Sequence, residues 1–151
     1  MKMLKIWSLA AMLLMTMVAC NKNNNSEEPS GNLDAIEKEW QLVSVNGVAN
    51  EFTVYVNFNA GTFSIYQQVY DLSYMFYDGQ YSISGSTVSG TYFNGDSWKC
   101  DYTASITSDG NTLTLKSKEE NAITCIYQAC VIPESVKAEA TTRSAEYIPF
   151  L

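Results

Sequence analysis

Residues 98–117 read WKCDYTASITSDGNTLTLKS, and this stretch decides the fold class. In its first half, from Trp98 to Ile106, aromatic, apolar and small residues alternate with charged and hydroxyl residues. Successive side chains of a β-strand point to opposite faces of a sheet, so this alternation predicts a strand with one buried face. Asp109 and Gly110 then predict a tight turn into a second strand of alternating Thr and Leu. The stretch is typical of a β-hairpin, and we expect the chain to be all-β.

The same alternation recurs along the chain between short turn sequences. Predicted strands span residues 39–46, 52–58, 62–70, 74–77, 80–84, 87–93, 98–106, 111–117 and 122–132. Asp78-Gly79 is interpreted as a turn between two of them. Because nearly every connection is short, consecutive strands should be neighbours. An antiparallel up-and-down series of about eight strands hides its edges by closing into a barrel. A two-sheet sandwich is the alternative, but its crossovers need longer connections.

The end of the chain departs from this pattern. Residues 133–140 predict a short helix, because Pro133 suits a first helical turn and Glu134 lies near the positive end of the helix dipole. The tail, residues 141–151, ends in the apolar sequence YIPFL. We expect this end to dock against the barrel, because it has apolar surface to bury.

The first 19 residues have the pattern of a secretion signal. Lys2 and Lys5 precede an uncharged, mostly apolar run of 13 residues, 6–18. This run is too short to cross a hydrocarbon core of about 30 Å as a helix and suits a signal peptide. Ala19-Cys20 resembles the lipobox of bacterial lipoproteins, which implies that Cys20 becomes the lipidated N-terminus. The alternative is an ordinary signal peptide that happens to end at a cysteine.

An acylated Cys20 predicts a location as well as a modification. Two or more acyl chains attach a protein stably to a membrane without a spanning helix. Residues 20–35 are mostly polar and predict a flexible tether, followed by a single domain over residues 36–151. We therefore expect a protein of the Gram-negative cell envelope, anchored by lipid at the outer membrane, on its periplasmic or its surface-exposed face.

Composition excludes several classes of function. The chain has 16 acidic and 9 basic residues; loss of Lys2 and Lys5 with the signal leaves 7 basic residues and a net charge of −9. Such acidity argues against a nucleic acid partner. The chain has no histidine, which removes the commonest general base and the commonest zinc ligand. With no phosphate-binding loop and no metal-ligand spacing either, we expect no enzyme activity, no cofactor and no metal.

Several segments resemble the small lipocalin-like lipoproteins of Gram-negative bacteria. They are, besides the lipidated start, residues 39–44 (EWQLVS), 61–63 (GTF), 81–92 (YSISGSTVSGTY), 109–115 (DGNTLTL) and 132–136 (IPESV). The resemblance covers nearly all of residues 36–151 and implies an eight-stranded barrel with a short C-terminal helix. Lipocalins carry glycine two residues before the first-strand tryptophan, whereas Lys38 precedes Trp40 here. The family supplies no established ligand or catalytic residue.

A barrel of this size is either filled by side chains or has room for one small ligand. Inward positions predict a mostly aromatic lining with a few polar groups, as ligand pockets have. The candidate ligand-binding residues are Phe58, Phe63, Gln67, Tyr81, Tyr92, Trp98, Tyr102 and Tyr127. The expected partner is a small apolar or amphipathic molecule; the alternative for these residues is a packed core.

An aromatic cluster around the middle strands supports a second hypothesis. It consists of Tyr66, Tyr70, Tyr74, Phe76 and Tyr77, several of which face outward by alternation. An exposed aromatic patch can mark an interaction site, whereas cross-strand pairing would make it structural. The alternative function is therefore a cell-envelope interaction module or hydrolase inhibitor that binds a protein partner through loops and this patch.

Three cysteines remain besides Cys20. Cys100 and Cys125 both face inward, but one strand lies between theirs, which separates them by roughly 9–10 Å. A disulfide needs Cα atoms within about 7 Å, and Cys130 faces the opposite side from Cys125. Three is an odd number, so at least one cysteine is unpaired or pairs outside the chain, and we expect small buried thiols rather than disulfide bridges.

Overall fold

The structure is a computed structural model, and it describes residues 33–69, 72–142 and 148–151. The predicted signal sequence, Cys20 and most of the predicted tether lie outside the described residues, as does Tyr70.

Within these described ranges, ten strands and one helix follow a short 3-10 turn, Leu33–Ile36. The strands are β1 (Glu39–Val45), β2 (Val48–Ala49), β3 (Thr53–Asn59), β4 (Thr62–Gln68), β5 (Met75–Ser84), β6 (Thr87–Tyr92), β7 (Tyr102–Ile106), β8 (Thr112–Ser117), β9 (Thr124–Cys130) and β10 (Thr141–Thr142). The helix α1 spans Glu134–Glu139.

Eight of these strands close into one antiparallel ring. Each strand pairs with the next in the order β1, β3, β4, β5, β6, β7, β8 and β9, and β9 pairs with β1. β2 forms a hairpin with the end of β1, and β10 runs parallel to the start of β5. The predicted eight-stranded up-and-down barrel is confirmed, and the sandwich alternative is wrong.

Alternating side chains fill the barrel. In β3, Val54, Val56 and Phe58 are buried, while Tyr55 and Asn57 are half-buried on the outer face. Burial of a large apolar side chain contributes about 1.5–3 kcal/mol. The alternation of apolar and polar residues in the sequence therefore places the apolar side chains in this core.

One end of the barrel, which we call the floor, is closed by the turn Leu33–Ile36. Ile36 is fully buried, and its carbonyl accepts a hydrogen bond from the Trp40 indole nitrogen at 2.8 Å. The Lys38 ammonium lies 5.9 Å from the centre of the Trp40 ring and donates to the Gly110 carbonyl at 2.8 Å. These contacts fix the entry of the chain into β1.

The opposite end, which we call the mouth, holds the β1–β2, β4–β5, β6–β7 and β8–β9 connections, because connections alternate between the ends of an up-and-down barrel. Residues 148–151 also lie there. The side chain of Leu151 is buried, and Gln67 hydrogen-bonds the backbone of the tail on both sides of Pro149. The predicted docking of the tail is confirmed.

The predicted turn at Asp78-Gly79 is wrong, because Met75–Ser84 is one continuous strand. Gly79 serves close packing instead. A Cβ at Gly79 would lie 2.2 Å from the Thr91 carbonyl oxygen and 2.8 Å from a ring carbon of Phe63. The glycine therefore marks the place where β6 and this ring approach the β5 backbone.

The strand predicted over residues 98–106 is too long, because β7 begins at Tyr102. The Trp98 amide donates to the Gly90 carbonyl at 2.9 Å, and the indole packs against Gly90. With this ring against the β6 backbone, residues 98–101 leave the ladder. As a result, β6 and β7 share two residue pairs.

The helix α1 packs on the outer wall of the barrel. Ile132 and Val136 are buried there. The Ile132 amide donates to a Glu39 carboxylate oxygen at 2.7 Å, and the Lys137 ammonium lies 3.0 Å from the other oxygen of that carboxylate. The predicted bounds of this helix and of the other strands agree with the structure to within two residues at each end.

Candidate functional site

A cavity of about 270 Å³ opens at the mouth of the barrel. Its apolar lining comes from Val45, Phe52, Val69, Ile123 and Phe150. Its polar lining comes from Gln67, Tyr102, Ser117 and Cys125, which are buried, and from Lys99 and Glu119, which are exposed. The site thus combines apolar walls, a few buried polar groups and one charge of each sign at the rim.

Gln67 is the polar group that organises this site. It occupies the inward position after Phe63 and Ile65 in β4 and is 1% exposed. Its amide nitrogen donates to the Ile148 carbonyl at 3.0 Å, and its amide oxygen accepts from the Phe150 amide at 2.8 Å. A buried amide without partners would be costly, so these two bonds explain how β4 keeps Gln67 inside the barrel.

Residues 148–151 form one wall of the cavity. The ring of Phe150 lies 5.9 Å from that of Phe52, tilted by 55°. The Leu151 side chain is 2% exposed, and the Leu151 carbonyl oxygen accepts a hydrogen bond from the Tyr92 hydroxyl at 2.7 Å. Pro149 lines the cavity between them. The shape of the site therefore depends on the tail.

The titratable groups inside the mouth are held neutral. Burial raises the pKa of the Cys125 thiol to about 11, and the nearby Cys100 adds to this shift. Burial, more than Cys100, also raises the pKa of Tyr102. At neutral pH these groups are a thiol and a phenol, which can donate hydrogen bonds but are poor nucleophiles.

Three buried polar groups in the described part of the chain lack a hydrogen-bond partner. One is the side-chain oxygen of Asn50, and the other two are donors: the hydroxyl of Tyr127, which is fully buried, and the indole nitrogen of Trp98. Burial raises the pKa of Tyr127 well above that of a free tyrosine, so the hydroxyl keeps its proton. An unpaired buried polar group costs about 1–3 kcal/mol. A hydrogen bond from either donor to a water or a ligand would remove this cost.

The eight candidate residues from the sequence lie in three places. Gln67 and Tyr102 line the mouth cavity. Tyr81 and Trp98 line an open groove of about 420 Å³ on the barrel wall beside β5 and β6. Phe58, Phe63, Tyr92 and Tyr127 are buried in the core, and Tyr92 also borders a smaller cavity of about 170 Å³ beside Pro149 and Leu151. A contact between any of the eight and a ligand stays a prediction.

Most of the aromatic candidates pack against one another. The Trp98 ring lies 5.0 Å from that of Phe63, 6.5 Å from that of Phe58 and 5.9 Å from that of Tyr102, all close to edge-on. This geometry is favourable for aromatic pairs. The packed-core alternative thus describes the middle of the barrel, and open space is found at the mouth.

The open groove on the barrel wall is more polar than the mouth cavity. Ser82, Ser89 and Asp101 line it together with Tyr81, whose hydroxyl lies 3.5 Å from a Glu37 carboxylate oxygen. Burial and this carboxylate raise the pKa of Tyr81. The groove follows the gap that residues 98–101 leave between β6 and β7.

Sequence reasoning missed the cavity residues that lie at strand ends and in connections. Lys99 and Glu119 line the mouth from such positions. Connections have no hydrophobic periodicity, so alternation could not identify them. The strand order could have identified them, because alternate connections of an up-and-down barrel lie at the same end.

Cys100, Cys125 and Cys130 are all free, as predicted, but Cys125 alone of the three is buried, and the other two are half-buried. β8 lies between β7 and β9, but Cys100 precedes the start of β7 at Tyr102, so the argument from strand spacing does not apply to it.

The aromatic cluster divides between the two faces of the sheet. Tyr77 is buried inside the barrel. Tyr66 and Phe76 are cross-strand partners on the outer face, with ring centres 5.2 Å apart, and the Tyr74 ring lies 6.3 Å from that of Tyr55. All four outer rings are half-buried. Cross-strand pairing therefore accounts for Tyr66 and Phe76, and the Tyr74 ring, just before β5, packs against a ring of β3.

Two features are absent from the described residues. They contain no group of three acidic or cysteine side chains that could hold a metal ion. They also contain no helix with the length and apolar character needed to cross a membrane.

Solved structures resemble this barrel, whereas no protein-family model and no curated protein matches the chain. A lipocalin-like protein from Bacteroides uniformis superposes with a TM-score of 0.50 at 21% identity, over 64% of this chain and 99% of that one. An uncharacterized protein from Bacteroides eggerthii gives a TM-score of 0.47 at 13% identity, over 62% of this chain and 98% of that one. Together with the closed ring of eight strands, the first similarity shows that this chain has a lipocalin-like fold.

Proposed function

We propose that this protein is a lipid-anchored, lipocalin-like binding protein that holds a small apolar or amphipathic molecule in its mouth cavity. The observation that carries this proposal is the lining of the cavity, in which apolar walls surround the buried polar groups of Gln67, Tyr102 and Ser117. Ligand pockets have this composition. At about 270 Å³ the cavity lies just below the range of about 300–1,000 Å³ for drug-sized ligands, so the ligand is small.

The chemistry of the mouth favours binding over catalysis. The chain has no histidine to serve as a general base. The one buried thiol in the cavity, Cys125, has a raised pKa and stays protonated at neutral pH. Gln67 already uses its amide to hold the tail. We propose a non-enzymatic role in which these groups orient a ligand.

The proposed location rests on residues 1–20. A signal that ends at Cys20 would place the barrel at the envelope membrane, on a tether that enters at the floor, the end opposite the mouth. Metabolic labelling with palmitate tests this in a Gram-negative host. The unaltered chain should incorporate label and sediment with membranes, and Cys20→Ser should do neither. Labelling that survives in the variant would contradict the anchor.

A fluorescent probe tests the ligand site. N-phenyl-1-naphthylamine is small and apolar and brightens when it leaves water. Val69→Trp places an indole in the cavity wall and should reduce probe binding at least tenfold. Val43→Trp is the matched control, because Val43 is exposed on β1 and does not line the cavity. Equal probe binding by the two variants would argue against the mouth as the site.

A second function is favoured by the rim of the mouth. Exposed apolar residues lie all round that end, in β2 and in the three other connections, whereas at the floor the hairpin turns carry none and Val131 is exposed after β9. The exposed rim residues are Val48, Leu72, Phe93 and Ile123. Exposed apolar surface of this kind can mark a protein-binding face. The alternative to small-ligand binding is an envelope interaction module that binds a protein, such as a hydrolase, through these loops.

A further inference from the structure

The tail occupies the mouth in the way a bound peptide would. Two backbone groups of the tail, the Ile148 carbonyl and the Phe150 amide, are held by the side chain of Gln67. A third, the Leu151 carbonyl, is held by the Tyr92 hydroxyl. These protein groups come from β4 and β6, more than 50 residues away from the tail in sequence. The mouth therefore recognises the backbone of an extended segment.

The pair of bonds at Gln67 imitates a β-ladder. In an extended chain, residues two apart direct their backbone groups to the same side. The Gln67 amide donates to residue 148 and accepts from residue 150, as one residue of a parallel strand does with its neighbour. Pro149 lies between these two positions and has no N–H to leave unpaired. The contact requires an extended backbone and tolerates proline at its centre.

Side-chain positions add specificity to this backbone contact. The Phe150 ring meets the Phe52 ring at the cavity wall, 5.9 Å between centres. The Leu151 side chain is 2% exposed within the core of the barrel. By contrast, Ile148 is 57% exposed. The site therefore accepts an aromatic residue and then an aliphatic residue after proline, and leaves the residue before proline undefined.

We propose that the mouth is a peptide-binding site for extended segments of the form X-Pro-aromatic-aliphatic, which the chain's own tail fills in cis and an equivalent segment can fill in trans. This inference does not rest on the small-ligand function, although the two occupants share the cavity wall formed by residues 148–150. Recognition through the backbone at Gln67, with pockets for alternate side chains, is a known way to bind peptides.

The test uses full-length chains and a fluorescein-labelled Ile-Pro-Phe-Leu peptide, followed by anisotropy. Leu151→Asp would bury a carboxylate without a partner, so the tail leaves the mouth. This variant should bind the peptide at least tenfold more tightly than the unaltered chain, whose tethered tail competes at an effective concentration in the millimolar range. Ile148→Asp is the matched control, because its side chain is mostly exposed and the tail stays in place.

Two further arms test the assigned contacts. Adding Gln67→Leu to Leu151→Asp should weaken peptide binding at least tenfold, and an Ile-Pro-Phe-Asp peptide should not bind to Leu151→Asp. The proposal is overturned if Leu151→Asp binds the peptide no better than Ile148→Asp, or if Gln67→Leu leaves its binding unchanged. Probe binding by the Val69→Trp variant reports on the small-ligand site separately, so the two proposals can fail independently.

If Leu151→Asp does not fold, a measurement on the unaltered chain tests the same proposal. The Phe150 amide is protected by its bond to Gln67. Excess unlabelled Ile-Pro-Phe-Leu, at several millimolar, matches the effective concentration of a tethered segment and should speed hydrogen exchange of this amide at least twofold. An unchanged exchange rate overturns the proposal. Concentration-dependent dimerisation of the unaltered chain would support a second copy as the source of the segment.

Discussion

The indole of Trp98 lies against the backbone of Gly90, in the space that a Cβ would take. A Cβ at Gly90 would stand 2.2 Å from Cε2 of Trp98. Because the ring belongs to a packed aromatic cluster, it cannot move aside freely. Gly90→Ala should therefore lower the free energy of unfolding by about 1–3 kcal/mol, as overpacking does. Urea unfolding measures the change, and Ser89→Ala is the control, expected within about 0.5 kcal/mol. Equal stability of the two variants would contradict this packing.

Trp40 and Trp98 offer a matched comparison of two buried indoles. The Trp40 nitrogen donates to the Ile36 carbonyl at 2.8 Å, whereas the Trp98 nitrogen has no partner among the described residues. Trp40→Phe and Trp98→Phe remove similar volumes, but the first also breaks a buried hydrogen bond and leaves the Ile36 carbonyl with the Lys38 amide as its donor. We expect Trp40→Phe to cost about 0.5–1.5 kcal/mol more. Urea unfolding would contradict the assignment if Trp98→Phe proved the more destabilising change.

Gln67 should control the position of the tail. Gln67→Leu keeps the size of the side chain and removes both bonds to the tail. We expect the Phe150 amide to exchange its hydrogen at least tenfold faster, since its buried acceptor is lost. Gln68→Leu is the control, because Gln68 donates to the exposed Leu72 carbonyl instead. A Phe150 amide that stays equally protected in both variants would show that Gln67 does not hold the tail.

The neutral thiol of Cys125 predicts how stability depends on pH. Burial raises its pKa from 9.0 to about 11 in the folded chain. Below pH 9 the thiol is protonated in both the folded and the unfolded chain, so its contribution is fully present. Between pH 9 and 11 the unfolded thiol ionises first, and the free energy of unfolding should fall by about 1.4 kcal/mol per pH unit.

Cys125→Ala separates this thiol from the tyrosines. The ordinary pKa of Tyr102 and Tyr127 is 10.0, so their ionisation in the unfolded chain acts mainly above pH 10. The variant should flatten the pH dependence between pH 9 and 10 in urea unfolding. A slope that the substitution leaves unchanged would contradict the burial of this thiol.

The barrel itself could be predicted from the sequence because its strands bury one face and leave the other face more exposed. Alternation placed Val54, Val56 and Phe58 on one face of β3, and short connections made consecutive strands neighbours. The errors came at Gly79, which allows close packing rather than a turn, and at residues 98–101, which leave the ladder where the Trp98 ring packs on Gly90. Gly79 and Gly90 each make room for an aromatic ring from elsewhere in the chain, which no local pattern encodes.

The candidate site was only partly predictable. Gln67 could be identified as a polar residue at an inward position of β4. Its partners could not, because Ile148 and Phe150 lie 81 and 83 residues further along the chain. The cavity is also lined by Glu119, which lies in the connection between β8 and β9, where the sequence has no periodicity. These groups meet because the barrel closes and the tail folds back onto its mouth, which no local sequence pattern indicates.

The central claim is that the mouth holds a small molecule. Native mass spectrometry of the full chain, purified from envelope membranes without denaturation, tests it most directly. The account predicts a non-covalent adduct of small mass that denaturation releases and that Val69→Trp lacks while Val43→Trp retains it. An unliganded mass for the unaltered chain, or an adduct that persists in folded Val69→Trp, would contradict the account.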